Sequence, residues 1–455
     1  MTTGSIGIQK NMKWALSVAL PAALYILLPE SAVITPKVRM FLAITSWAVL
    51  MFCFELLDNA ITALSLSIAY AITEILPFGK AFGGWSGTVV WQCFGIFIFI
   101  NMMKRTSVLK RFAYTVLSVT GGSYMGILMG LTIFAVCFHN FAFAGLALAY
   151  GIVEVLELGR SRAAAGILLS MAMAFGDARN FLYYPSGVGI SGAAANTVTE
   201  VAVNYITTLQ HNIPWIAFPF LMTFIIGKLM SPEKALNGKA YFMKEKKKLG
   251  PMSADEKKVV SIFLLMMLYM FTTSIHGMSM VYGFIIFPLL LYLPGLDVGT
   301  KDDIAKVNLP LLIFISGCIS IGTAAAAVGA GQIVSDVFTP VMAGQSNYVF
   351  AGLVFLAGYV ANIFMTPVAL MNLLTPPFTQ ISLDMGITAY PVIYLLKHAS
   401  THVLFPFENT TILFAYSFGA ISMGNFVKCF LVKLAVYLAF LFLVSVPFWS
   451  FCGLM

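Results

Sequence analysis

The chain has 455 residues, of which 60% are hydrophobic and only 10% charged, with a mean hydropathy of +0.92. Soluble domains carry charge on about a quarter of their residues, so this composition excludes an ordinary water-soluble protein and points to a polytopic membrane protein embedded in lipid. A net charge of +8 would suggest a polyanionic partner in a soluble chain, but here Lys and Arg gather at the ends of apolar runs, where they orient helices, and no nucleic-acid partner is implied.

Lys10 and Lys13 lead directly into "WALSVALPAALYILLP" without a small-residue cleavage site. The first apolar run is therefore expected to stay in the cell (inner) membrane with the N-terminus cytoplasmic. Helices are predicted near 14–30, 38–54, 58–76 and 86–103, followed by the basic break "KRTSVLKRF". The longest polar stretch, 231–258, holds eight lysines and four acids. Both breaks belong on the cytoplasmic face. Between them lie three apolar segments, 122–158, 163–205 and 212–230, and for the two breaks to share a face one segment must return to the side it entered. Segment 122–158 is rich in small residues, carries Asn140 and exits on Arg160 and Arg162, which predicts a re-entrant hairpin opening to the cytoplasm.

Beyond the loop, helices are predicted near 259–275, 279–296 and 309–338. A second hairpin follows over 347–380, with a central Asn362 and the proline-bearing "TPVALMNLLTPP", entering from outside. Helices near 386–424 and 430–450 complete the chain, leaving Lys428 and Lys433 cytoplasmic and the charge-free C-terminus extracytoplasmic. The layout has about eleven crossings and two oppositely opening hairpins, an all-α inverted repeat of the kind that builds secondary transporters.

Each hairpin precedes a helix expected to break at membrane depth. In "GDARNFLYYPSGVGISGAAANTVTE", 176–200, Pro185, Gly187, Gly189 and Gly192 unwind it; in "HASTHVLFPFENTTILFAYSFG", 398–419, Pro406 does. Opened backbone is tolerated at that depth where it lines a cavity. Asn196-Thr197 and Asn409-Thr410 follow the two breaks. The expected anion site is therefore Asn140, Asn196, Thr197, Asn362, Asn409 and Thr410, with backbone near Gly189, Gly192 and Pro406, and half-helix N-termini supplying unpaired N–H groups. His139, Glu408 and Asp177 are the candidates for ion or proton coupling.

The two central asparagines, the broken helices and "SFGAISMGNFVK" at 417–428 resemble the divalent anion:sodium symporter family of the ion transporter superfamily, as a divergent member. The resemblance implies a homodimer with a scaffold (1–121 and 259–346) and a transport domain (122–230 and 347–455), moving as an elevator. It also implies import or exchange of dicarboxylates, tricarboxylates or similar small anions, with sodium as the coupling ion. The family's hairpin tips carry Ser-Asn-Thr, where this chain has His139-Asn140-Phe141 and Ala361-Asn362-Ile363. Pro406-Phe407-Glu408-Asn409-Thr410 replaces a Gly-Thr-Pro-Pro-Asn run. With four hydroxyls gone, proton coupling or counter-anion exchange stands beside sodium symport.

Other accounts compete for the same residues. Membrane asparagines commonly hydrogen-bond between helices, and a buried histidine is often a satisfied core residue. Asp177 and Arg179 are spaced to pair with each other. His398 and His402 have metal-ligand spacing without a third ligand in the motif, so an intramembrane metalloenzyme is the weaker rival; a sodium/proton antiporter using Asp177 and Glu408, or an inorganic-anion carrier, is the nearer one. "GVGISG" at 187–192 lacks the preceding strand of a dinucleotide fingerprint. The six cysteines read as small buried hydrophobes. No cofactor other than a coupling sodium is expected.

Overall fold

The computed structural model describes residues 3–31, 34–233, 236, 239–279 and 281–455, with no strand among them. The protein is an all-α polytopic membrane protein, and local chemistry at helix ends divides its apolar runs. Helix α1 (Thr3–Leu27) pairs with α2 (Pro36–Phe54), which begins where the Thr35 hydroxyl accepts from the Val38 amide and Pro36 takes the first helical position. Asp58 caps α3 (Asn59–Ile72) in the same way. Helix α4 (Thr88–Arg105) runs into α5 (Val108–Val119). There Gly121 and Gly122, at φ of 78° and 74°, turn the chain by 109° into α6 (Tyr124–Cys137), a backbone that glycine alone adopts without strain.

Helices α6 and α7 (Ala142–Val155) form a hairpin closed by residues 138–141. Each arm has 14 residues and rises about 21 Å, short of a hydrocarbon core of about 30 Å. Helix α8 (Arg162–Ala178) then opens over 179–189, the chain making one π-type turn at Pro185–Gly189 before α9 (Ile190–Ala195). Helices α10 (Tyr205–His211) and α11 (Phe218–Leu229) end the first half. In the basic segment, residues 234, 235, 237 and 238 lie outside the described residues; Lys239–Lys248 forms α12, packed on α5. Ser253 and Glu256 make a capping box for α13 (Ala254–Phe271), and Arg111 of α5 pairs with the same glutamate at 3.2 Å.

The second half repeats the order of the first. After α14 (Val281–Leu290) come a long helix α15 (Leu309–Ala327), a short amphipathic α16 (Ala330–Met342), a hairpin of α17 (Asn347–Phe364) and α18 (Pro367–Asp384), then α19 (Ala389–Ala399). An opening over 400–409 leads to α20 (Thr410–Ser417) and α21 (Met423–Phe440). The helix expected over 309–338 is two, because Gly329 at φ 73° ends α15. The second hairpin turns at Met365–Thr366, where the Thr366 hydroxyl caps the α18 amide of Ala369 and Pro367 starts the helix. Asn362 therefore sits on the last turn of α17, not at the tip as expected. Among the described residues four helices are long and apolar enough to cross a membrane, up to six if each of two bent pairs is one span. The layout of about eleven crossings and two hairpins counted apolar runs, whereas caps, glycines and prolines divide several of those runs into shorter helices.

Two groups of helices face each other. In one, α3 packs on α15 and α4 on α14 at backbone distance: a Cβ on Gly317 would stand 2.7 Å from the Ala63 carbonyl oxygen, and one on Gly95 2.2 Å from that of Phe284. In the other, α6 and α11 pack on α8, while α17 and α18 embrace α19. Phenyl rings meet between the groups: Phe97 with Phe414 at 5.6 Å, Phe141 with Phe271 at 4.6 Å, Phe143 with Phe284 at 6.1 Å and Phe41 with Phe364 at 6.3 Å. Polar links join them at the rim, where Arg160 meets Glu55 at 2.5 Å and Lys104 meets Glu154 at 3.0 Å.

Candidate functional site

Both hairpins and both openings reach one cavity of about 1000 Å³, at the upper end of the range for small-molecule sites. Its wall on the hairpin side is built from Cys137–Phe141, Asn362–Val368, the end of α8 at Gly176 and Arg179, the end of α19 at Lys397, Ser400 and Thr401, and Phe407–Leu413. Gln92 of α4, Phe284 of α14 and Cys318–Gly322 of α15 line the opposite side, though not continuously, since Ser320 is absent from the lining.

Three cations reach this wall. Arg179 caps the C-terminus of α8, and its guanidinium donates through Nε (3.0 Å) and Nη2 (2.8 Å) to the carbonyl oxygen of His139 while lying 4.2 Å over the Tyr184 ring. The first opening and the first hairpin tip are thereby tied together. Lys397 is 3% exposed and lines the cavity, and no hydrogen bond or ion pair engages its ammonium among the described residues. Its stem passes over Gly187, where a Cβ would stand 2.7 Å from Lys397 Cε. Lys433 of α21 reaches Asp177 Oδ1 at 2.7 Å and donates to the Thr401 carbonyl at 3.3 Å.

The sequence-derived site divides on these coordinates. His139, Asn140, Asn362, Glu408, Asn409 and Thr410 all line the cavity. His139 Nε2, Asn140 Oδ1 and Asn362 Oδ1 are buried there without a partner among the described residues, a costly state for polar atoms unless something else satisfies them. Glu408 accepts from the Leu404 and Phe405 amides at 3.0 and 2.7 Å and from Asn362 Nδ2 at 3.2 Å, so a buried carboxyl is held at the wall by three donors. Asn409 is spent on the fold. Its Oδ1 caps α20 by accepting from Thr411 and Ile412, and its Nδ2 donates to the Ser400 carbonyl. Thr410 is exposed to the cavity at the first position of that helix.

The remaining expected residues lie elsewhere. Asn196 and Thr197 are outside the cavity, exposed beyond the end of α9, where Asn196 accepts from the Val201 amide and Thr197 donates to the Ala194 carbonyl. The two Asn-Thr pairs are not equivalent, since one follows a short helix and the other precedes one. Gly192 packs on Val203 and Gly189 on the Tyr183 hydroxyl, each closer than a Cβ would allow, and neither lines the cavity. Pro406 is buried behind its neighbour Phe407. Asp177 pairs with Lys433 instead of Arg179, and Lys433 is an interior residue instead of a cytoplasmic one.

His398 and His402 are packed among Trp215, Tyr437 and Phe355, with His398 Nδ1 on the Tyr437 hydroxyl and His402 Nδ1 on the His398 carbonyl. Sequence reasoning overlooked Lys397 and misassigned Lys433. Both stand inside apolar runs, "YLLKHA" and "FLVKLAV", where a charged residue at membrane depth is rare and functional by default.

Hairpin ends, opened helices and a surplus of cations in one cavity are the apparatus of an anion carrier. A protein from Cupriavidus necator described only as "Membrane protein" is 24% identical to this chain over 362 residues, 71% of this chain and 69% of the relative. The sodium:sulfate symporter transmembrane region matches residues 9–455, nearly the whole chain, and the protein belongs to that family of membrane transporters.

Proposed function

We propose that the protein is a secondary active transporter of small organic anions of the di- or tricarboxylate class across the cytoplasmic membrane. The observation that carries this reading is the single cavity in which both hairpin ends and both openings meet around Arg179, Lys397 and Lys433. Against these three cations stand two carboxylates, Glu408 at the wall and Asp177 behind it, so an anion completes the charge balance.

In this mechanism the Lys397 ammonium binds one carboxylate of the substrate. The uncapped first amides of α7 and the Asn140 amide, which turns to offer either its oxygen or its N–H groups, receive the other end. Asn362 and Glu408 form a linked pair beside it; a proton taken up or released at Glu408 would couple the anion to the pH gradient. Segments 122–230 and 347–455 move as one body against 1–121 and 259–346, sliding across the phenyl contacts, as an elevator in a homodimer with N-terminus inside and C-terminus outside.

Counterflow in proteoliposomes tests the function. Vesicles preloaded with unlabelled succinate or citrate should accumulate the labelled anion, and vesicles bearing Lys397→Met should not. Failure of every di- and tricarboxylate, with accumulation of sulfate alone, would favour the second reading, an inorganic-oxyanion carrier, which the family's own description supports.

A further inference from the structure

Every charged side chain that lines the cavity stands on its hairpin side: Arg179, Lys397, Glu408 and Lys433. The opposite wall, from α4, α13, α14 and α15, presents neutral groups alone among the described residues. On that wall Gln92, in the second turn of α4, is 7% exposed and lines the cavity. No hydrogen bond engages its amide among the described residues. An amide inside a bilayer ordinarily bonds to a neighbouring helix, and a buried one without a partner costs free energy. A molecule in the cavity can supply what the neighbouring helices do not.

Ring contacts place this amide. Phe97, a little over one turn beyond Gln92 on α4, meets Phe414 of α20 at 5.6 Å. Thr410 lies one turn before Phe414, at the first position of α20, and is exposed to the cavity. Neither Phe97 nor Phe414 lines the cavity, so the contact closes one end of it, with Gln92 and Thr410 on the two walls beside the closure. Phe143, on the first turn of α7, meets the same Phe414 ring at 4.8 Å. The uncapped first amides of α7 therefore reach this end as well, and an anion seated on them has the Gln92 amide across from it.

We propose that Gln92 donates to the bound anion from the stationary wall, on one side of the membrane only, so that the carrier binds its anion more tightly on that side. The inference rests on the transport reading above and on its division into fixed and moving segments. The hairpins carry the anion away, and α4 stays, so the amide is a partner only while the cavity opens as it does here. That opening is at the start of α4, with Thr88, and at the connection of α13 to α14, with Thr273 and Ser279. Helix α4 ends on Lys104 and Arg105, and α13 begins just past the lysine-rich segment, so the mouth lies on the face opposite the basic breaks. A neutral amide suits the task. It adds about three- to tenfold in affinity without the fixed charge that would anchor the anion to the wall it must leave.

The test uses the full chain in membrane vesicles of both orientations, told apart by whether trypsin reaches the lysine-rich α12. Counterflow of labelled succinate and of labelled sulfate is measured at several outside concentrations for the wild type and for Gln92→Met, which keeps the side chain's length and removes its amide. In vesicles that shield α12, the half-saturating concentration should rise about three- to tenfold with the maximal rate within twofold. In vesicles that expose α12, it should stay within twofold of the wild type. A rise of equal size on both faces, or on neither, would overturn the inference and leave the transport reading standing, whereas no counterflow of either anion by the wild type would overturn both. Melting in detergent separates contact from scaffold. Gln92→Met loses a buried amide that has no partner, so it should melt at or above the wild-type temperature; a lower temperature together with a two-sided loss would make Gln92 a structural residue and sink the proposal. If that variant does not fold, Gln92→Asn, whose amide is drawn back by one methylene, should show the same one-sided rise, and its absence there counts equally against the proposal.

Discussion

Lys433 Nζ stands 2.7 Å from Asp177 Oδ1, with the two side chains 1% and 0% exposed. Neither carboxylate oxygen of Asp177 has a hydrogen-bond donor aligned on it among the described residues. Lys433 is thus the cation that pairs with the aspartate directly. Removing one member of a buried pair leaves an uncompensated charge and costs about 3–5 kcal/mol, whereas replacing both with apolar groups is often close to neutral. Lys433→Met and Asp177→Leu should each lower the melting temperature substantially, and the double variant should recover most of the loss. Additive single effects would show that the two residues are not a pair.

Lys397 has the opposite situation: among the described residues no hydrogen bond or ion pair engages its ammonium at the cavity. A hydrogen bond to a charged group contributes about 1.5–3 kcal/mol, so Lys397→Met should weaken anion affinity by roughly 10- to 100-fold with little loss of stability, and Lys397→Arg should keep part of it. Gly187→Ala, whose Cβ would meet the lysine stem at 2.7 Å, should raise KM more than it lowers the maximal rate. Substrate titration followed by thermal shift, with counterflow at several concentrations, checks both.

Glu408→Gln keeps an oxygen for the Leu404 and Phe405 amides that the carboxylate now accepts, so it should fold. Succinate counterflow should persist, while accumulation driven by an imposed pH gradient should disappear. A variant that still concentrates the anion on a pH gradient would clear Glu408 of the coupling role.

Arg160 and Glu55 join the two helix groups at their rim at 2.5 Å. Cysteines at these two positions, in a background without the six native ones, should be bridged by a short bifunctional thiosulfonate. Counterflow should stop on bridging and return on reduction, because sliding carries the two positions apart. Unchanged transport in the bridged protein would rule out a sliding mechanism.

Outside the membrane segments, burial pushes the Asp303 carboxyl up. The Arg105 guanidinium at 2.9 Å and the Thr300 amide and hydroxyl outweigh it and hold the group below its ordinary 3.8. A depressed carboxyl stabilises the fold above its unfolded pKa and loses that contribution as pH falls through the folded value. Asp303→Asn should therefore be less stable than wild type at neutral pH, with the gap closing below about pH 4 in acid-unfolding curves.

Much of the layout was legible because its causes are local. Gly121-Gly122, Pro367 behind Thr366 and the paired openings are punctuation that a sequence carries openly. The expectation for Asn362 erred by one helical turn, since centring an asparagine in an apolar run ignored the Thr-Pro signal four residues on. Asn196 was drawn in by a likeness to Asn409 that took no account of which side of a short helix each occupies. Lys433 was misassigned for a different reason. Its partner Asp177 lies in the other half of the chain, and the rule that places lysines inside works on loops, so it cannot recognise a lysine that tertiary contact has drawn into the interior. Lys397 was legible as a charge inside the apolar run "YLLKHA", but that its stem lies over Gly187 was not, because that contact joins the two halves of the chain.

A phenyl ring presents no donor or acceptor, so contacts such as Phe97 with Phe414 and Phe141 with Phe271 favour no one offset strongly over its neighbours. In the elevator proposed above, the surface between the two helix groups would behave as a lubricated plane without detents. The resting positions of the proposed moving body would then be decided at its margin, by Glu55 with Arg160 and Lys104 with Glu154, whose grip fades as ionic strength rises. Dwell times, more than the height of the passage between them, are what salt should shorten.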